Sequence, residues 1–139
     1  MIINPYLNFE GTTEEAFNFY KSVFGGEFSA LVRFKDTGEA GRVPAEHLNK
    51  IMHIALPVGN NILMATDAIP EMGHHLNLGN NIQLSINENN KDEAYRIFKA
   101  LSDGGKVIVE FKKEFWGEYF ALFTDKFGIQ WMINYREAQ

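Results

Sequence analysis

Cysteine is missing from the 139 residues, which excludes disulfides, thiolate nucleophiles and zinc–sulfur sites. Positive charge is in short supply: 13 Lys and Arg stand against 18 Asp and Glu, for a net charge of −5. The basic residues are scattered singly, whereas phosphate binding needs a concentrated basic face, so nucleic acid is not an expected partner. No apolar run approaches the roughly 20 residues that a membrane helix needs. The opening Met-Ile-Ile-Asn-Pro-Tyr has neither the charged start nor the long apolar stretch of a signal peptide. These absences predict a soluble cytoplasmic protein with no membrane partner. Two signatures of chemistry are absent as well: a glycine-rich phosphate loop between strand and helix, and a Ser/His/Asp constellation at usable spacing.

What the sequence does have is aromatic bulk and a repeat. Twelve Phe, five Tyr and two Trp in a 45% hydrophobic chain supply both a core and the lining of an apolar cavity. A chain of this length buries about two-thirds of its unfolded surface as one domain. Residues 12–21 are written again at residues 89–99: Glu15 falls on Glu93, Ala16 on Ala94, Phe17 on Tyr95, Tyr20 on Phe98, Lys21 on Lys99 and Val23 on Leu101. Both segments close on a glycine pair, Gly25-Gly26 and Gly104-Gly105. Repetition on this scale means two copies of one supersecondary unit.

Periodicity extends the correspondence. Residues 2–9 read as a strand, with Pro5 near its start. Thr12 and Glu15 have capping-box spacing, and Ala16, Phe17, Tyr20, Val23 and Phe24 recur on one helical face. A strand is predicted over 27–34, a long polar loop over 36–49, and a hairpin over 51–58 and 61–66 turning at Gly59-Asn60. After a linker at 68–80 the order recurs: a strand over 81–87, a helix from Asn90 with Glu93 as its box partner, a strand over 106–112, and a hairpin over 118–124 and 129–134. The expectation is a single α+β domain spanning 1–139, with modules at roughly 1–67 and 81–139. Each module is a strand, a helix and three strands, and curved mixed sheets carry the helices outside. Alternation in the strand at 81–87 puts Ile82, Leu84 and Ile86 on one face and Asn81, Gln83, Ser85 and Asn87 on the other. The last strand alternates Trp131 and Ile133 against Gln130, Met132 and Asn134. Two such sheets would enclose a cleft with a partly polar lining, the usual geometry of a binding site.

Few side chains invite chemistry. His53 lies on the opposite strand face from Ile54 and Leu56, where it either hydrogen-bonds a ligand, acts as a general base, or is satisfied by neighbouring backbone. His74-His75 and His47 lie in polar connections and read as solvated. Asp67 and Asp125, each at a strand end beside a turn, suit bonding to backbone amides. Trp116 is a cavity wall, Trp131 by parity a core residue, and Arg33 and Arg42 surface charges. Glu14, Glu15, Asp92 and Glu93 belong to helix starts, where they favour the dipole.

Taken together, Phe9-Glu10-Gly11, Glu14-Glu15-Ala16, Phe19-Tyr20, Phe24-Gly25-Gly26, Met52-His53, Leu63-Met64-Ala65-Thr66-Asp67, Trp116-Gly117 and Asp125-Lys126-Phe127-Gly128 followed by Trp131 carry a resemblance. They span nearly the whole chain and resemble the vicinal oxygen chelate superfamily of glyoxalases, extradiol dioxygenases and fosfomycin- or bleomycin-resistance proteins. More narrowly, the chain resembles the PhnB-like branch. The resemblance implies paired modules, a homodimer and a ligand held in a cup of strands. It also implies a divalent metal on His and Glu side chains of the first and last strands. Those positions fall on Pro5, Met64, Asn81 or Gln83, and Met132, so the expectation is no metal and no cofactor. Branch members are sometimes described as ubiquinone-pathway methyltransferases, for which an adenosyl-binding glycine loop is missing. Two function classes follow. One is a small-molecule binding protein whose ligand meets His53, Met64, Asn81, Gln83, Trp116, Phe120, Gln130 and Met132. The other is a glyoxalase- or dioxygenase-type enzyme, metal-dependent or using His53 as its base.

Overall fold

The structure, a computed structural model, describes residues 1–137. The chain divides into two compact units, Met1–Asn77 and the residues from Leu78 onward. Unit 1 runs β1 (Tyr6–Phe9), α1 (Thr13–Phe24), β2 (Ala30–Arg33), β3 (Ile51–Val58) and β4 (Asn61–Asp67). Unit 2 runs β5 (Leu84–Glu88), α2 (Lys91–Ser102), β6 (Lys106–Lys113), β7 (Glu118–Thr124) and β8 (Gln130–Arg136). The strand orders, β1-β4-β3-β2 and β5-β8-β7-β6, are the same order written twice. In each sheet the first and last strands of the unit pair in parallel and the remaining pairs are antiparallel. The α+β reading with two mixed sheets and helices on one face of each is therefore correct.

In unit 1 the apolar face of α1 buries Ala16, Phe17, Tyr20 and Val23 against Ile54, Leu56, Leu63 and Ala65 of β3 and β4. Burying each large side chain contributes about 1.5–3 kcal/mol. The start of α1 differs from the expected capping box, because Thr12 makes no side-chain cap. Asp67, 3% exposed at the end of β4, accepts the Gly11 and Thr13 amides on Oδ1 at 3.0 and 3.1 Å. Its Oδ2 accepts the Ile51 amide at 2.8 Å. One carboxylate thus ties the helix start to two strands. Gly25, at φ 79°, ends the helix in backbone that a side chain would strain.

In unit 2, α2 buries Ala94, Ile97, Phe98 and Leu101 over Ala121, Phe123, Trp131 and Ile133, with Phe98 edge-on to Phe123 at 5.7 Å. Here Asn90 does cap, accepting the Glu93 amide at 2.9 Å. Glu93 does not close the box, since its carboxylate is held by Arg96 at 2.6 and 2.9 Å. Asp125 locks the β7–β8 turn. Its Oδ1 accepts the Phe127 and Ile129 amides, and its Oδ2 the Trp131 indole N–H at 2.9 Å. Gly105 lies so close to β7 that a Cβ would come within 2.1 Å of the Thr124 carbonyl oxygen.

Four expected strands are shorter or shifted. The first begins at Tyr6, because Pro5 offers no amide to a ladder, and the second covers only Ala30–Arg33. The fifth begins at Leu84, so Asn81, Ile82 and Gln83 lie outside it, and Ile82 is 71% exposed instead of facing a helix. The last extends from Gln130 to Arg136. The long polar loop is not featureless, since it holds short 3-10 turns at Phe34–Asp36, Ala40–Arg42 and Ala45–His47.

Candidate functional site

With one face of each sheet covered by its helix, side chains available for chemistry come from the other face. Strand parity and register identify them. In unit 1, Tyr6 stands opposite Met64 and Asn8 opposite Thr66, Met64 opposite Ala55, and Val32 opposite His53. These residues alternate with the buried helix-facing row Ile54, Leu56, Leu63, Ala65 and Asp67. Tyr6, on edge strand β1, reaches across β4 to His53 on β3. The rings stack at 5.7 Å with an interplanar angle of 25°, and the phenol oxygen lies 3.0 Å from His53 Nδ1. Partial burial pushes the Tyr6 phenol above its ordinary value, so the hydroxyl keeps its proton at neutral pH and can donate it. Among the described residues, His53 Nε2 has no hydrogen-bond partner.

The helix-free face of unit 2 has a different character. Ser85 stands opposite Met132 and Asn87 opposite Asn134, while Leu122 faces Met132 and Phe120 faces Asn134 across the next pair. Asn134 Nδ2 donates to Ser85 Oγ at 3.2 Å. Asn87, Glu88, Asn89, Glu118, Asn134 and Arg136 line an open depression of about 460 Å³. Trp116, half-exposed in the β6–β7 turn, meets Phe120 at 6.1 Å. Amide, hydroxyl and charged groups therefore adjoin a thioether and two aromatic rings.

The eight residues expected to meet a ligand are distributed unevenly over this geometry. His53 and Met64 share the helix-free face of unit 1. Phe120 and Met132 share that of unit 2, and Trp116 adjoins Phe120. Asn81 and Gln83 are exposed ahead of β5, and Gln83 donates to the nearby Asn80 carbonyl. Gln130 turns its amide onto the Gly79 and Ile82 carbonyls at 3.1 Å each, which fixes the approach to β5. Sequence reasoning missed Tyr6, hidden behind the alignment of Pro5 with a ligand position. It also left out Ser85, Asn87 and Asn134, whose polar alternation was legible.

In the ladders Tyr6 stands opposite Met64 and Ser85 opposite Met132, and the Met64 amide donates to the Pro5 carbonyl at 3.2 Å. Neither pair, a phenol with a thioether in unit 1 or a hydroxyl with a thioether in unit 2, fits a divalent ion that wants imidazole nitrogen and carboxylate oxygen. The junctions between strand and helix likewise do not fit an adenosyl cofactor. The Gly11 and Thr13 amides are taken by Asp67, and no glycine stands between β5 and α2.

Other candidates resolve into structure. Asp67 and Asp125 are turn and helix locks. Arg33 makes a two-pronged pair with Glu14 at 2.6 and 3.0 Å, and this guanidinium holds the Glu14 carboxyl below its ordinary value. His47 is not solvated: its side chain is 12% exposed and its Nε2 contacts Glu71, which clasps the long loop to the segment after β4. Glu46 completes a cluster of possible cation ligands there. His74 and His75 are exposed, as expected of a solvated connection.

A family model described as 3-demethylubiquinone-9 3-methyltransferase matches residues 2–134. The chain is 38% identical to protein PA1353 from Pseudomonas aeruginosa, whose crystal structure superposes with a TM-score of 0.87 over 99% of each chain. A Bacillus cereus protein titled a putative 3-demethylubiquinone-9 3-methyltransferase, PhnB protein, is 23% identical with a TM-score of 0.79 over 97% of this chain and 99% of that one. The fold recurs in a glyoxalase/bleomycin resistance protein/dioxygenase family enzyme from Burkholderia phytofirmans PsJN. That enzyme is 20% identical, with a TM-score of 0.62 over 94% and 95% of the two chains.

Proposed function

The chain belongs to the family described as 3-demethylubiquinone-9 3-methyltransferase, the PhnB-like branch of the vicinal oxygen chelate fold, and from that premise we propose that it binds a small apolar or aromatic molecule without a metal. The observation that carries this reading is the make-up of the helix-free faces. On the helix-free face of unit 1 Tyr6 pairs with Met64, and on that of unit 2 Ser85 pairs with Met132, neither pair a donor set suited to a divalent ion. Around them stand apolar and aromatic side chains with a few polar groups, the usual lining of a ligand site. Methyl transfer is not carried over from the family's description, because the strand–helix junctions offer no cradle for its cofactor. The protein acts in the cytoplasm as a homodimer; the dimer reading is supported by exposed Ile2, Ile3 and Ile62, which neighbour one another where the Ile62 amide donates to Asn4 and suit an interface.

A second reading, an enzyme using His53 as a base, is favoured by one observation, that His53 Nε2 has no hydrogen-bond partner among the described residues. Elemental analysis and melting curves test the metal-free reading itself. The purified protein is expected to carry no stoichiometric metal and to keep its melting temperature when Ni, Zn, Mn or Fe is added. A rise of several degrees would assign it to the metal enzymes, because a ligand that binds only the native state stabilises it.

A further inference from the structure

The Tyr6–His53 pair decides what kind of group His53 can offer a ligand. A hydrogen bond between a phenol and an imidazole runs in one of two senses. Either the hydroxyl donates to Nδ1, and neutral His53 carries its proton on Nε2, or Nδ1–H donates to the phenol oxygen and Nε2 is left as a base. An imidazole nitrogen is a far stronger acceptor than a phenol oxygen, so the first sense is favoured. The second would also leave the phenol proton without a protein acceptor, since Tyr6 Oη has no partner among the described residues other than His53.

We infer that Tyr6 is a positioning residue that holds His53 as the Nε2–H tautomer, so that the helix-free face of unit 1 presents one hydrogen-bond donor to an acceptor oxygen, a carbonyl or carboxylate, on an otherwise apolar ligand. The surroundings suit such a molecule. Met64, Ala55 and Val32 on the same face supply apolar contact, and stacking of the two rings at 25° keeps the imidazole from turning. The inference rests on the binding reading and sharpens it: a neutral His53 whose free nitrogen already carries a proton grips a ligand oxygen and does not abstract a proton from carbon.

The test is long-range 1H–15N correlation spectroscopy of the 15N-labelled full chain, recorded at a pH where all imidazoles are neutral. With four histidines, assignment needs only His53→Gln. His53 is expected to show a protonated Nε2 and an unprotonated Nδ1. Tyr6→Phe keeps the ring and removes the hydroxyl, and should lower the Nε2–H to Nδ1–H ratio about fivefold, the scale of one net hydrogen bond. Far-UV circular dichroism checks that the variant is folded. A dominant Nδ1–H tautomer, or a ratio that Tyr6→Phe leaves unmoved, overturns the inference while leaving ligand binding intact. Acetophenone and ethylbenzene, alike except for the carbonyl, then probe the donor. The His53 Nε2 signal should shift with acetophenone and stay put with ethylbenzene. Equal shifts with both, or acetophenone shifts confined to unit 2, would contradict the donor role without touching the broader binding reading. Absence of any shift anywhere would count against both.

Discussion

The two units are built to one plan on the side their helices cover and to two plans on the other. Helix-facing rows match in kind: Tyr20 and Phe98 fill equivalent places in the repeat and both are buried, as are Val23 and Leu101. Away from the helices, unit 1 carries a stacked tyrosine and histidine beside Met64, whereas unit 2 carries Ser85, Asn87, Asn134, Glu118 and Arg136 beside Met132 and Phe120. Packing constrains the covered rows, because a protein interior tolerates little change in volume. The uncovered rows answer to chemistry. The covered rows differ at one place, where buried Phe17 corresponds to Tyr95, 49% exposed. The larger divergence lies in the uncovered rows, as a shared scaffold serving a ligand would produce.

Carboxylate locks offer the severest way to break that comparison. Asp67 and Asp125, both 3% exposed, come from different strands of the plan, yet each gathers buried donors. Replacing either with Ala should cost about 3–5 kcal/mol in urea unfolding, because buried donors lose their charged acceptor. A loss below about 1 kcal/mol in one unit only would show that the scaffolds are not equivalent. Next in size is a contrast between the two faces of one sheet. Phe98→Ala, on the covered side, should cost about 3–5 kcal/mol, and Phe120→Ala, on the uncovered side, about 1 kcal/mol. Equal costs would mean that the uncovered face is packed as core.

The smallest effect concerns charge. Arg33 holds Glu14 below its ordinary value of 4.5, first through the hydrogen bond and then through its charge, against partial desolvation. A carboxylate whose value is lowered on folding stabilises the native state above 4.5 and loses that contribution as the pH falls below it. The pair is partly exposed, so Glu14→Gln should cost under about 1 kcal/mol at pH 7 and less at pH 3. A cost that persists undiminished at pH 3 would point to packing instead.

Much of this was legible in the sequence. The repeat announced the paired units, and the 3.6-residue spacing of Ala16, Phe17, Tyr20 and Val23 announced α1. The parity of Trp131 and Ile133 placed them under α2. Illegible parts depended on contacts distant along the chain. Thr12 has the spacing of a cap, but Asp67, more than fifty residues away, does the capping. Ile82 fits a period-2 pattern and yet lies outside the strand, because the ladder with β8 begins at Leu84 opposite Trp131. The Tyr6–His53 contact needs the strand order itself, since β4 lies between the strands that carry the two residues. The clasp of His47 on Glu71 joins two loops whose composition alone reads as solvent-facing.

Methionine methyl groups test the central claim most directly. Of the five methionines, Met64 and Met132 sit on the helix-free faces, while Met1 and Met72 are exposed elsewhere and serve as references. In protein labelled at the methionine methyl carbons and held in excess EDTA, titration with acetophenone should shift Met64, Met132 or both in a saturable way, leaving Met1 and Met72 in place. Shifts that appear only when a divalent cation is restored, or that are confined to the reference methyls, would contradict metal-free binding on these faces.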